Sequence, residues 1–233
     1  MKKLLTVVQF LLLVSALNSQ TLDDIINNYT KANKLDKIAG FKTIRISATT
    51  SMMGMDIPME IWMKNPNKIK TITSINGQEM VQVFDGEKGY IINPMTGSNV
   101  PVEMTDEQLK SAARNNLFNN YLAEFLKEGK LILEGEEDVN GKPAFRVKAS
   151  LDGSNSAIMF IDKSTYLILK TVTDVNQGGM AMSVESFPSD YKEISNIFLP
   201  MKTTTSANGM EIVTTFTKVE ADVPIEDSVF SIR

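Results

Sequence analysis

From Met55 to Met63 the chain reads Met-Asp-Ile-Pro-Met-Glu-Ile-Trp-Met, with a flexible apolar side chain at every odd position and mostly polar or rigid residues between. A period of two assigns a strand with one apolar face, because successive strand side chains point to opposite sides of a sheet. Methionine on such a face has two uses. Its unbranched thioether chain fills irregular gaps in a core, and it also adapts to guests of varied shape on a binding surface. The strand by itself leaves both open.

Leu22, Ile25, Ile26, Tyr29 and Ala32 recur at helical spacing behind a capping-box pattern of Thr21 and Asp24, which predicts a helix with one buried face. After Gly40 the pattern turns β-rich. Asn76-Gly77, Asp85-Gly86, Asn140-Gly141, Asp152-Gly153 and Asn208-Gly209 lie between β-type runs, where such dipeptides supply the positive φ that tight hairpin turns need. Strands are expected over about 41–53, 55–64, 67–76, 78–85, 87–93, 129–138, 143–151, 156–162, 165–175, 180–187, 191–194, 197–206 and 210–220, some of them merging. Together they make an antiparallel meander. Phe145, Val147 and Ala149 alternate with Arg146 and Lys148, and Met180, Met182 and Val184 share a parity. The run over 41–53 exceeds the usual strand length, so it should bend or bulge. Pro58 has no N–H to give to a ladder, which predicts an edge position or a bulge. Trp62 has the parity opposite to the methionines and should pack on the outer face or under a helix.

The meander is interrupted from Thr105 to Lys127. Thr105 and Gln108 form a second capping box, and Leu109, Ala112 and Ala113 share a face. After Asn115-Asn116 come Leu117, Phe118, Tyr121, Leu122, Phe125 and Leu126, with Gly129 as the stop. Two short amphipathic helices inserted in a sheet must bury their stripe against it, as a lid. Sheet and helices then enclose either a filled core or a cavity.

Lys2 and Lys3 precede an apolar run from Leu4 to Leu17 and then Asn18-Ser19-Gln20, which reads as a secretory signal peptide over 1–20. The run is shorter than the roughly 20 residues of a membrane-spanning helix. Residues 21–233 form one domain, expected to be soluble and periplasmic. With no cysteine in the sequence there is neither a disulfide nor a lipidated cysteine, so the core alone must hold the fold. The formal net charge is −4, more negative still once the leader's lysines are gone, and no basic tract occurs. Nucleic acid is excluded as a partner on that ground, as is a polybasic membrane site.

Enzymatic chemistry is poorly provided for. The chain has no histidine and no cysteine, which removes Ser-His and Cys-His nucleophile pairs and the usual zinc sites. Glu134, Glu136, Glu137 and Asp138 look like a solvated strand end and turn, and nothing singles out two carboxylates for glycoside hydrolysis. Ser189-Asp190-Tyr191-Lys192 matches Ser-x-x-Lys without its companion motifs. Asp152-Gly153-Ser154-Asn155 lacks the spacing of a calcium loop and reads as a turn. The expectation is a non-enzyme with no cofactor and no metal.

The order of elements carries a resemblance. The segment from Ile61 to Lys68 (Ile-Trp-Met-Lys-Asn-Pro-Asn-Lys), then Val83-Phe84-Asp85-Gly86 and Tyr90-Ile91-Ile92-Asn93-Pro94, resembles the outer-membrane lipoprotein carrier family (LolA-like). Asp190-Tyr191-Lys192-Glu193, Ile197-Phe198-Leu199-Pro200-Met201-Lys202 and Ile225-Glu226-Asp227-Ser228-Val229-Phe230 are similar to that family's late strands and C-terminal end. The resemblance covers residues 21–233. It implies an α+β fold: a large antiparallel sheet curved into an unclosed β-barrel, covered by the N-terminal helix and the mid-chain helical lid. It also implies an apolar cavity for acyl chains.

On that basis the expected lining is Met55, Ile57, Met59, Ile61 and Met63, with Ile69, Ile75, Met80, Phe84, Met180 and Met182. The lid residues Leu117, Tyr121 and Phe125 should face them. For each of these the competing reading is plain core packing. The function implied is a periplasmic carrier that binds the acyl chains of a lipoprotein or lipid and moves it toward the outer membrane. Its partners would be that lipid or lipoprotein and a membrane receptor or transporter, with the protein itself a monomer. In one place the chain departs from the family, where an arginine before the proline helps to hold the lid shut. Here that position is Asn65, beside Lys64, and lysine lacks the planar donor fork of arginine. Two alternatives stand beside the carrier. One is a lipid-responsive envelope sensor, although such sensors carry a further domain that is not expected after Arg233. The other is an envelope hydrolase.

Overall fold

The computed structural model describes residues 20–97, 99–151, 155–177, 180–194 and 196–231. The expected leader lies outside them except for Gln20. Two helices, α1 (Leu22–Ala32) and α2 (Leu35–Ile38), precede β1 (Thr43–Met52), β2 (Met55–Lys64), β3 (Lys68–Ile75), β4 (Gln78–Phe84) and β5 (Gly89–Ile92). A short β6 (Val102–Glu103) leads into α3 (Asp106–Arg114) and α4 (Tyr121–Lys127). Then follow β7 (Leu131–Val139), β8 (Lys142–Ser150), β9 (Ser156–Asp162), β10 (Ile168–Gln177), β11 (Met180–Ile194), β12 (Ile197–Ala207) and β13 (Met210–Ala221).

Among the described residues all 13 strands form one antiparallel sheet, in the order β6-β5-β4-β3-β2-β1-β13-β12-β11-β10-β9-β8-β7. The first strand pairs with the last, while β6 and β7 are left as free edges. The fold is therefore an unclosed barrel. α3 and α4 are the connection between those two edges, and they pack back on β4, on β7 and on α1. The lid thus spans the seam that hydrogen bonding leaves open.

Local chemistry explains most boundaries. Thr21 accepts the Asp24 N–H at 3.2 Å while Asp24 accepts the Thr21 N–H, and Thr105 and Gln108 repeat this reciprocal cap on α3. Asn76-Gly77, Asn140-Gly141 and Asn208-Gly209 have positive φ at both residues, as their hairpins require. Asp85-Gly86 is built differently. Only its glycine has positive φ, and the Asp85 carboxylate closes a longer loop by accepting the Glu87 and Lys88 N–H groups at 2.9 and 2.7 Å. Asp152-Gly153 lies outside the described residues. Met53 and Gly54 also take positive φ, so a methionine occupies a turn position that asparagine usually fills.

Two expectations are refined. The irregularity expected in the first strand falls between Ser47 and Ala48, but the extra residue is Thr217 of the partner β13. Pro58 does not mark an edge, since β2 sits inside the sheet between β1 and β3. The β2–β3 ladder begins only at the Met59–Thr73 pair, so Pro58 is paired on the β1 side alone and its missing N–H costs no bond to β3.

Two apolar clusters line the inner face. Phe145, Val147, Met159 and Ile161 of β8 and β9 pack with Ile25 and Ile26 of α1 and Leu122 of α4. Ile44, Ile46, Met63, Ile69, Leu199 and Val219 pack with Ile38 of α2 and the partly buried face of α3. On the outer face Val223, Ile225, Val229 and Phe230 cover Val83, Tyr90 and Trp62, which gives the opposite parity of Trp62 its reason. Arg146 pairs with Glu134 and Glu137, and Lys163 with Glu136, at the β7–β8 end where those carboxylates were expected to be solvated.

Candidate functional site

Register fixes which side chains look inward. Met63, Ile61, Met59, Ile57 and Met55 of β2 lie opposite Ile44, Ile46, Ala48, Thr50 and Met52 of β1, so the stripe runs along the concave face. Met63 and Ile57 are buried, Met59 and Ile61 between them half-buried, and Met55 at the hairpin tip is 44% exposed. Beside it is a cavity of about 370 Å³, lined by Met59, Ile61 and Met63, by Ile69, Thr71 and Thr73 of β3, and by Gln82, Val83 and Phe84 of β4. Met104, Ala112 and Asn115 close it from the lid side.

Gly89 lets the lid seat there. A Cβ at this residue would stand 2.5 Å from Met104 Sδ and 2.8 Å from Leu109 Cδ2, so a bare backbone is what allows both side chains to lie on β5. Met104 precedes the cap residue Thr105 and Leu109 is the fourth helical residue. That is the spacing of a hydrophobic staple, which fixes the angle at which the chain enters α3.

Two further cavities lie under the turn between α3 and α4. One of about 240 Å³ is bounded by Tyr29, Leu117, Tyr121, Tyr191, Phe198 and residues of β10 to β12. Burial pushes all three phenols above their ordinary pKa, so they stay neutral, and the Tyr191 O–H donates a hydrogen bond to the Ile168 carbonyl at 3.0 Å. The other, about 310 Å³, lies between Ser111, Arg114 and Asn115 and the strand residues Ala149, Ala157, Met159, Thr171 and Thr173.

Asparagines hold the turn above. Buried Asn116 donates to the Lys68 carbonyl at 3.4 Å and accepts from the Phe118 N–H at 3.1 Å. Asn119 donates to the Ala113 carbonyl, and Asn120 caps α4 while donating to Thr30 Oγ1 of α1 at 3.0 Å. Lys64 and Asn65 serve elsewhere. Asn65 donates to the carbonyls of Ala39 and Phe41, both at 3.0 Å, and Lys64 binds the Ile225 carbonyl and the Asp227 carboxylate on the outer face.

Among the residues singled out from sequence, Met59, Ile61, Met63, Ile69 and Phe84 come together around the first cavity. Leu117 borders the second, and Tyr121 borders both the second and the third. Met55, Ile57, Ile75, Met80 and Met182 share the concave parity but border none of the three, lying nearer the hairpin tips of their strands. The side chain of Met180 lies outside the described residues. Phe125 borders no cavity either. It packs with Tyr121 in the α1–α4 cluster over β7 to β9, so these two rings do not face the methionines of β2; Leu117 does, within the cluster of Met63 and Ile69.

Sequence reading missed Met104, Thr71, Thr73, Gln82, Arg114 and Asn115. The staple spacing was a signal for Met104. The threonines share the parity of Ile69, and only their polarity kept them off the apolar stripe. Among the described residues no group of three or more His, Cys, Asp or Glu could hold a metal ion, and no helix is long and apolar enough to cross a membrane.

No family model and no curated protein matches this sequence. Solved structures do match its fold. A DUF1329 family protein from Desulfovibrio piger aligns with a TM-score of 0.58 at 14% identity, covering 89% of this chain and 97% of that one. An outer membrane lipoprotein-sorting protein domain from Vibrio parahaemolyticus gives 0.59 at 9% identity, over 88% and 95% of the two chains. A LolA superfamily protein from Nitrosomonas europaea gives 0.57 at 11% identity, over 85% and 96%. The fold is LolA-like.

Proposed function

We propose that this LolA-like fold serves an exported, periplasmic, non-enzymatic carrier, which binds the acyl chains of a lipoprotein or lipid in the lid-covered cavity and moves that cargo toward the outer membrane. The observation that carries the reading is the vacancy of about 370 Å³ between the methionine face of β2 and the lid. Ligand pockets commonly span roughly 300–1,000 Å³, and apolar cavities of only about 150 Å³ stay dry and take up small hydrocarbons. Met59 and Met63 can re-pack around guests of differing shape.

The energetics make such a site useful. Exposing a buried methylene to water costs about 0.8 kcal/mol, so releasing one long acyl chain into the aqueous gap between two membranes costs on the order of 10 kcal/mol. A cavity that shelters the chain offsets most of that, and handover then needs an acceptor that competes for it. The likeness to a lipoprotein-sorting domain supports this choice among binding functions.

Native mass spectrometry of protein purified with and without added lipid tests it. The full-length exported protein should retain acyl lipid, and Met59→Glu should strip it while leaving the fold intact by circular dichroism. Protein that emerges empty under gentle conditions and takes up no added lipid would refute the carrier.

A further inference from the structure

A cluster of phenols in the second cavity is left without a role by an acyl-binding site under the β2 methionines. Tyr29 of α1, Tyr121 of α4 and Tyr191 of β11 border one recess of about 240 Å³, and Phe198 stacks on Tyr191 with ring centres 5.7 Å apart. Burial first, and then the nearness of Tyr121 and Tyr191, pushes Tyr29 well above its ordinary pKa, which keeps its O–H as a neutral donor. Tyr191 already donates to the Ile168 carbonyl. The hydroxyls of Tyr29 and Tyr121 make no hydrogen bond among the described residues, although Tyr29 is only 8% exposed. Among those residues no side-chain polar atom sealed from solvent lacks a partner, so both phenol oxygens must reach open space, and this recess is a space that both side chains border. On the sheet side Thr171 and Thr203 likewise have hydroxyls without a partner among the described residues. No carboxylate of those residues borders the recess, and Arg114, the charged residue that does, is already engaged.

An alkyl chain laid here would strip water from four hydroxyls and return no acceptor. An ionic head would leave water with no counter-charge waiting for it. What fits is a flat, uncharged ring with oxygen acceptors on opposite edges, met by phenols from the helices and threonines from the sheet and flanked by aromatic faces. Resting on the carrier reading, we propose that this recess seats the head of the guest, a neutral ring of the quinone type, whose hydrocarbon tail runs on into the methionine-lined cavity. Asn115 borders both recesses, so they adjoin at the end of α3. A sugar ring is uncharged too, but each of its hydroxyls brings a donor in need of an acceptor, and a phenol donates better than it accepts.

Decylubiquinone, decyl glucoside and decyltrimethylammonium share one tail and differ in the head, so their binding to the full exported chain, read by native mass spectrometry, isolates the head. The quinone should bind tightest. Tyr29→Phe/Tyr121→Phe keeps both rings and removes only the hydroxyls; it should weaken the quinone by roughly tenfold, the scale of two neutral hydrogen bonds, and leave the ammonium within about twofold. Without ligand the same variant should unfold at an unchanged or higher urea midpoint, because the hydroxyls it loses have no partner in the fold. A clearly lower midpoint would mean that the phenols bond within the protein, and overturns the site. A glucoside that outbinds the quinone and suffers the larger loss in the variant overturns the quinone head in favour of a hydroxylated ring. Equal affinity for all three heads, equal loss for all three, or no binding of any by a protein that still retains acyl lipid overturns the head site and leaves the carrier standing. Protein that takes up none of the three and no acyl lipid removes the carrier as well.

Discussion

Helices α3 and α4 lie over the same sheet, yet α4 buries Leu122 completely whereas no residue of α3 is buried to that degree. Both are amphipathic and both have a side-chain cap. The difference is what lies beneath them. Under α4, Phe145, Val147, Met159 and Ile161 interlock with Ile25 and Ile26 of α1, and of the helix's residues the three cavities touch Tyr121, at its first turn, while the rest pack closely. Under α3, the sheet presents Met59, Thr71, Thr73 and Gln82, and a vacancy remains. An apolar stripe thus says which face turns inward and says nothing of whether the space it meets is occupied.

The largest effect should come from breaking the filled half. Leu122→Ala removes a fully buried side chain from a packed cluster, which costs about 2–5 kcal/mol where the surroundings cannot collapse. A lowered midpoint of urea unfolding at unchanged slope reads this, with lipid binding retained once the protein is folded. A loss below about 1 kcal/mol would mean that α4, like α3, covers unfilled space.

A smaller effect, confined to the other half, is expected from Gly89→Ala. The new methyl group would displace Met104 and Leu109 from β5, and overpacking of this kind costs about 1–3 kcal/mol, reduced here because both contacts are flexible side-chain ends. Amide hydrogen exchange should then accelerate in α3 with no change in α4. Equal acceleration in both would show the lid to be one cooperative unit and would erase the contrast between its helices.

How far the sequence foretells this molecule follows from the same contrast. Period-two alternation, Asn-Gly turns and two capping boxes reveal the strands, most hairpins and both lid helices, because each rests on local stereochemistry written in neighbouring residues. Met59, Ile61 and Met63 of the β2 stripe reach the cavity, while Met55 and Ile57, with the same pattern, do not. Parity names a face, but which part of that face meets a cavity depends on how the helices pack against the distant strands. Phe125 shows the same limit. Its helical phase is right, but packing of α4 on α1 carries it to β7–β9, a long-range fact with no local signature. Thr71 and Thr73 escape for the opposite reason, since a hydroxyl on an inner face reads as an interruption of an apolar stripe rather than as part of a mixed lining.

The smallest expected effect lies on the outer face, and it asks whether looseness under α3 is local. Asp227 is held below the usual carboxylate pKa by hydrogen bonds from Lys64 and Lys68, at 2.8 and 3.3 Å, which tie the C-terminal segment over Trp62. A carboxyl whose pKa is depressed by folding supports the folded arrangement above its unfolded value of about 3.9, and that support fades as pH falls through the lower folded value. Trp62 is the sole tryptophan in the sequence, so its fluorescence reports this segment alone. It should change with a midpoint below that of an ordinary aspartate, and Asp227→Asn should abolish the transition. Because Lys64 and Lys68 flank the turn that joins β2 to β3, release of the segment could pass to the cavity wall through Met63 and Ile69. The packing of those two residues with Ile44 and Val219 predicts otherwise, with exchange in α3 unaltered in Asp227→Asn. Faster exchange there would mean that the outer tie helps to set how firmly α3 closes.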